Sequence, residues 1–425
     1  MAATSASARA VAVISLQRIV SQLTRDRNLE RPIPAKYTHQ RVPGLHLEHA
    51  VSRTRSLKHF FRKHIWARHP YAPDAPERLH GHSIYAHRVS VDDAVVIHTQ
   101  HNPLAPLGVA QFIGRQLRGN RALFLVTLTW STRSPNIIRR LASIVDIYRY
   151  HRPEHLFLFL CNEPEEVKLL SAAGLDAVLC NHNAFVDEFE FDIGDHDEKR
   201  FRAIYNGAMI PWKRHELARE VEDCAFVYYH NNDISMDEAV AYLKSLQAVM
   251  PRHTFVNRIR DGAIERLPLG AVRDMVSRCR VGLCLSAEEG AMKASIEYLL
   301  CGLPVVSTRS VGGRDQFAGR DYWLTVDDEP EAVRDGVADI IARAVAPDAI
   351  RNATIARMRE HRDRLRLAVE RLTDGRVRLP SDLRDRAYRP PHRYVAGRDL
   401  VEALGLQAHA RTTARRDPGR SSSGM

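Results

Sequence analysis

The sequence predicts an α/β protein made of two Rossmann-like, doubly wound domains, and three observations carry that prediction. Short apolar runs of strand length alternate with amphipathic stretches of helix length from about residue 92 to residue 372, joined by short turns. The chain has 425 residues, too many for one ordinary domain and enough for two of similar size. Runs such as Val281 to Leu285 are apolar throughout rather than alternating, as strands of a parallel sheet covered on both faces are.

Val11 to Leu16 is a candidate first strand, followed by a basic section with little periodicity. From Asp92 the alternation is clear. Ala94 to His98, Ala122 to Leu128, Leu156 to Cys161 and Ala177 to Cys180 read as strands. Leu107 to Leu117, Pro135 to Tyr150 and Pro164 to Ala173 read as the helices between them. The acidic stretch Asp187 to Lys199, with Gly194, reads as the interdomain linker. The second half repeats the pattern. Phe201 to Asn206, Ala225 to His230, His253 to Asn257, Val281 to Leu285 and Leu303 to Ser307 are its expected strands. Trp212 to Val221, Met236 to Met250, Leu269 to Cys279, Ala291 to Cys301, Glu331 to Val345 and Asp348 to Leu372 are its expected helices. The expected division is therefore 1–190, 191–407 and a tail, 408–425, that is polar, basic and too poor in apolar residues to fold.

Composition narrows the classes. With 44% hydrophobic and 27% charged residues the chain can build two cores. Its longest apolar runs are far shorter than the ~20 residues of a membrane span. The net charge of +11 favours anionic partners without choosing among them. The six cysteines lack metal-ligand spacing and read as buried, reduced thiols of a cytosolic protein. Residues 1–25 carry Arg9, Arg18 and Arg25 and no acid, a composition shared by organelle transit peptides and Ala-rich bacterial N-termini. Arg53 to Tyr71 interleaves cations with Phe60, Phe61, Ile65 and Trp66. On a helix that stripe suits an anionic membrane surface, a nucleic acid, or packing on its own domain. The histidines at 46, 49, 80 and 82 have no cysteine or regular acidic partner, so a zinc site is not expected there.

The densest polar stretch runs from Val281 to Phe317. A strand leads into Ser286-Ala287-Glu288-Glu289-Gly290, then a helix that Gly302 and Pro304 end, then a second strand and Gly312-Gly313. Seven residues separate Glu289 from Glu297, which places them ~10 Å apart along a helix axis. Between them lie the amides of Gly290 to Lys293 at the positive end of the helix dipole, a place for an anion. A ligand with hydroxyls at both ends and a diphosphate between fits that order. One surface acid and one capping acid would fit it too.

Glu289 and Glu297 with Gly302-Leu303-Pro304-Val305-Val306, Gly312-Gly313, and Tyr205-Asn206-Gly207 followed by Lys213-Arg214, resemble the donor site of the group 1 retaining glycosyltransferases. The resemblance covers roughly residues 200–345. It implies the GT-B fold, two Rossmann-like domains facing a central cleft, and transfer of a sugar from a nucleotide-diphosphate donor to a saccharide or lipid-linked acceptor. By that resemblance Glu289 contacts donor-sugar hydroxyls near the anomeric centre and Glu297 holds the ribose. Amides of Gly290, Ala291, Met292, Lys293 and Ala294 approach the sugar and diphosphate. Lys213, with Arg214, neutralises the diphosphate after the turn at Gly207. The backbone of Val256 to Arg258 lies where the family clasps the base.

The family's Arg after the first-strand glycine is Ala208 here. Its glycine-rich first loop is missing, with Leu16-Gln17-Arg18-Ile19 in that place. Thr129-Trp130-Ser131 replaces a family histidine, for which His98 and His101 are candidate substitutes. The implied mechanism uses no metal and no cofactor beyond the donor. The leaving phosphate helps take the acceptor proton on the same face. Asp195-His196-Asp197 spells a metal-binding pattern of another fold and reads as solvated linker. The expected place is the cytoplasm, with a peripheral contact at the inner membrane face through Arg53 to Tyr71, and no nucleic acid partner. The alternatives are a nucleotide-sugar epimerase or phosphorylase of the same fold, or a basic RNA- or membrane-binding protein.

Overall fold

The computed structural model describes residues 84–90, 94–101, 106–114, 116–194, 199–231, 233–381 and 383, with 392–394, 404 and 406 beyond them. The expectations for Val11 to Leu16, Arg53 to Tyr71, the four histidines, Asp195 to Asp197 and the tail lie outside the described residues.

The first sheet has the order β14–β1–β2–β3–β4–β5. Its strands are β1 (Ile84–Ser90), β2 (Val95–Gln100), β3 (Ala122–Thr127), β4 (His155–Cys161), β5 (Ala177–Leu179) and β14 (His392–Tyr394). β2 to β5 run parallel, and β1 is antiparallel to both β2 and β14. Side chains alternate between two cores, because successive strand residues point to opposite faces. Val95, Ile97, Phe124, Val126, Phe157 and Phe159 pack with α1 (Ala110–Ile113), α2 (Pro135–His151) and α3 (Pro164–Ala172). Val96, Leu123, Leu125, Leu158 and Leu160 pack on the other face, against Leu365 and Val369.

The second sheet has the order β13–β12–β11–β6–β7–β8, parallel throughout. Its strands are β6 (Phe201–Ala208), β7 (Cys224–Tyr229), β8 (Thr254–Phe255), β11 (Cys279–Cys284), β12 (Val305–Thr308) and β13 (Trp323–Val326). The order reverses between β6 and β11, so the crevice beyond their carboxyl ends is where such a sheet binds ligands. Around it stand α4 (Met236–Val249), α5 (Leu269–Ser277), α6 (Lys293–Leu300) and α7 (Pro330–Ala342). A small hairpin, β9 (Ile259–Arg260) with β10 (Ala263–Ile264), follows β8.

The last long helix, α8 (Pro347–Leu372), belongs to both cores: Ile350 and Met358 lie in the second, Leu365 and Val369 in the first. Chain order and core membership therefore part company after about Leu365. The crossing is fixed by buried polar contacts rather than by apolar packing alone. Arg362 pairs with Glu188 at 2.9 Å, both nearly buried, and donates to the Ala184 carbonyl at 2.6 Å. Nδ1 of His361 receives the Asn181 amide at 3.1 Å.

Several expectations need correcting. The helix expected at Leu107 to Leu117 is four residues long, Ala110–Ile113. Trp212 to Val221 is not an α-helix but two 3₁₀ turns, Pro211–Lys213 and His215–Ala218, broken at Arg214, whose φ of 54° and ψ of 48° are left-handed. The strand expected at His253 to Asn257 shortens to two residues, because Asn257 turns its side chain onto the Tyr228 amide at 2.8 Å. β1, β13, β14 and the hairpin were not expected at all. All six cysteines are free and buried, as read, and burial pushes Cys180, Cys279, Cys284 and Cys301 up to about 12.

Candidate active site

β11 ends at Cys284, and the chain turns through Ser286 to Met292 before α6 begins at Lys293. The turn is anchored on the loop after β12: the Glu289 amide donates to the Val311 carbonyl at 2.9 Å, and Gly313 to Gly290 at 2.8 Å. Gly312 allows this. Its φ of 114° is open only to glycine, and a Cβ there would stand 1.7 Å from the Glu289 carbonyl oxygen.

Glu289 is 5% exposed and Lys213 9%, and the ammonium of Lys213 donates directly to Oε1 of Glu289. The Ser286 hydroxyl donates to the same oxygen at 2.6 Å. Beneath them Arg314, 1% exposed, donates to the Ser286 carbonyl at 2.6 Å and to the Thr308 carbonyl. The charge of Glu289 is thus held in place by a cation and a hydroxyl.

Glu297, on α6, is 8% exposed and receives Nδ2 of Asn206 from β6 at 3.2 Å. Burial raises its pKa to about 6, against the opposing pull of Lys293 and Asn206. Between the acids, Gly290, Ala291 and Met292 are buried, and their amides find no acceptor among the described residues. Amides placed before a helix start suit the oxygens of an anion.

Other expected residues are placed differently. Arg214 does not face this turn with a free guanidinium: it donates to the Leu285 carbonyl at 2.6 Å, Thr308 Oγ1 at 2.8 Å and Asp328 at 2.6 Å. Gly207 lies in β6 with ordinary space around it. Ala294 is buried in the first turn of α6. Arg258 is exposed, and no described contact joins its side chain to either acid. His98 is a core residue, its Nε2 2.6 Å from Thr127 Oγ1 and its ring against Phe185, and His101 bonds the Pro106 carbonyl at 2.9 Å.

The facing wall comes from the first domain. Nε1 of Trp130 donates to Oε1 of Glu288 at 3.3 Å, Nδ2 of Asn183 to the Met292 carbonyl at 2.9 Å, and Nδ2 of Asn181 to the Gly313 carbonyl at 2.7 Å. Asn181 and Asn183 carried no sequence signal, since single asparagines are common at strand ends.

The Trp130 loop is held by Glu166, fully buried, which accepts the Thr132 and Asn162 amides at 2.7 Å each. Burial raises its pKa to about 7, against those two bonds. A carboxyl whose folded pKa lies above its unfolded value binds more protons folded than unfolded between the two. Its contribution to stability is therefore greatest at acid pH and falls as pH rises from about 4.5 to 7. In Glu166→Gln that fall should vanish from the pH profile of the melting temperature, while one amide loses its acceptor at about 1–3 kcal/mol. An unchanged profile would rule out Glu166 as its source.

No family model and no curated protein sequence matches the chain. Solved structures do resemble it in fold. A glycosyltransferase from Rickettsia africae is 14% identical, with 66% of this chain and 77% of that one covered and a TM-score of 0.47. Sucrose-phosphate synthase from Thermosynechococcus elongatus is 16% identical, with 66% and 72% covered and a TM-score of 0.45. HepE from Anabaena, in complex with UDP, is 14% identical, with 63% and 74% covered and a TM-score of 0.41.

Proposed function

We propose that this chain is a glycosyltransferase that moves a hexose-type sugar from a nucleotide-diphosphate donor to a saccharide or lipid-linked acceptor, with retention, in polysaccharide or glycolipid assembly. One observation carries the reading. Two buried carboxylates, Glu289 and Glu297, flank three amides that donate to no described residue, at the carboxyl edge of a parallel sheet. Carboxylates accept from hydroxyls and amides donate to phosphate, so the order acid, amides, acid matches sugar, diphosphate, ribose.

In this reading Glu297 accepts the ribose hydroxyls and Glu289 orients the donor sugar, its carboxylate fixed by Lys213 and Ser286. The amides of Gly290 to Met292 take diphosphate oxygens and stabilise the charge that grows on them as the glycosidic bond breaks. Retention follows the resemblance: the acceptor hydroxyl attacks on the face that the diphosphate leaves, and the diphosphate accepts its proton. Among the described residues no three His, Cys, Asp or Glu side chains stand together as metal ligands. No described helix is long and apolar enough to cross a membrane. Action in the cytoplasm, with a peripheral membrane contact, is part of this proposal.

A thermal-shift screen against UDP-, GDP-, ADP- and dTDP-sugars tests it. A donor at 100 times its dissociation constant stabilises the folded state by about 2.7 kcal/mol. One family of donors should raise the melting temperature by several degrees, and Glu297→Ala should remove the shift. Conversion of the donor alone, without acceptor, would identify an epimerase instead. Salt-sensitive RNA binding with no donor shift would leave a binding protein.

A further inference from the structure

The cations around the two acids are not equally committed. Lys213 is paired with Glu289, and Arg214 is held by Leu285, Thr308 and Asp328. Arg266, just past the hairpin, is different. It is exposed, and its guanidinium makes no hydrogen bond or ion pair with any described residue. It lies over the ring of Tyr229, 5.2 Å from the centroid.

That position is informative. Tyr229 is the last residue of β7 and stands beside Ala208, the last residue of β6, in parallel register. Two residues back on β6, Asn206 holds Glu297. The guanidinium therefore rests over the carboxyl ends of the strands that carry the site, next to a position where β6 offers only a methyl group. Burial raises the pKa of the Tyr229 phenol, with Glu289 and Glu297 adding to the effect and Arg266 opposing it.

Arg266 also opposes a second cation. Lys293 opens α6, at the positive end of that helix, and its pKa is lowered by desolvation, with Glu297 opposing and Arg266 adding to the effect. Beyond Glu297, an anion bound beside these two cations and the helix start would be favoured by all three.

We propose that Arg266 is a diphosphate-binding residue of this chain, its guanidinium laid on Tyr229 as on a platform and turned to the phosphate oxygens beside Lys293. The proposal rests on the reading of the site as a nucleotide-diphosphate site and adds a residue to it from the hairpin. The stacked guanidinium is held flat by the ring, which limits the freedom lost on binding. Because its contact is with phosphate, Arg266 makes the site prefer nucleoside diphosphates to monophosphates.

The test is calorimetric titration of the full chain with UDP, GDP, ADP and dTDP, the matching monophosphates, and inorganic pyrophosphate. In Arg266→Ala, affinity for the bound diphosphate should fall about 10- to 100-fold, the range of a charge-assisted contact. The preference over the monophosphate should shrink with it, and Arg266→Lys should recover only part. An exposed side chain leaves the fold intact, which an unchanged melting temperature without ligand checks. An Arg266→Ala variant with wild-type affinity and preference overturns the proposal. Arg266-dependent binding of pyrophosphate without binding of any nucleotide would uphold the anion assignment and refute the nucleotide reading. No binding of any of these anions by the wild type would overturn both.

Discussion

Replacing Glu289 by Ala should lower sugar transfer by about 10²–10³-fold and also destabilise the protein. The first effect is that expected for removing one preorganised electrostatic group from an active site. The second follows from burial. Lys213 is 9% exposed and Glu289 is its ion-pair partner, so the variant leaves an ammonium buried without its carboxylate. Breaking a buried pair from one side costs about 3–5 kcal/mol. Activity loss alone would thus not separate a chemical role from a folding defect. The double variant Lys213→Met, Glu289→Leu separates them, since apolar residues of similar volume can replace a buried pair without that cost. Urea denaturation should find most of the lost stability restored, and turnover should stay absent. A Glu289→Ala protein with full turnover would remove Glu289 from the mechanism. A double variant as unstable as the single one would remove the ion pair from the explanation.

Gly290→Ala should act through the contact between the domains. A Cβ on Gly290 would lie 2.5 Å from the Thr129 carbonyl oxygen and 3.0 Å from the Trp130 Cα, both backbone atoms of the first domain. Backbone cannot swing aside as a side chain can, so one loop must retreat. The Trp130–Glu288 bond at 3.3 Å and the Asn183–Met292 bond at 2.9 Å lie beside the wedge. Overpacking of this kind costs about 1–3 kcal/mol. A displacement of about 1 Å at a reacting centre costs about 10²-fold in rate. Gly270→Ala is the control: nothing lies within 4 Å of its added Cβ, and it sits in α5, where Ala is favoured over Gly. Denaturation midpoints and kcat for both variants check this. Equal behaviour of the two would show that the close approach at Gly290 has no consequence.

The strands were legible because their environment is written into them. Ala122 to Thr127 is buried at every position, and a segment covered on both faces has to be apolar throughout. The helix boundaries at Pro135 and Pro164 were legible for a local reason, since proline suits the first turn of a helix and little of its interior. Trp212 to Val221 misled because its composition suits a helix. Arg214, bonded to Leu285, Thr308 and Asp328 and held left-handed, takes that segment's conformation from distant partners.

By itself the sequence determined the alternation of strands and helices, the two-domain scale, and the turn with its paired acids. Those are properties of neighbouring residues, fixed by periodicity, turn chemistry and spacing along the chain. Only the tertiary structure decided which charges meet. It brings Lys213 to Glu289 across 76 positions of chain, and lays Arg266 on Tyr229. It commits Arg214 elsewhere and returns α8 to the first domain. Electrostatic and hydrogen-bond partners are chosen by distance in space, and no periodicity along the chain records that distance.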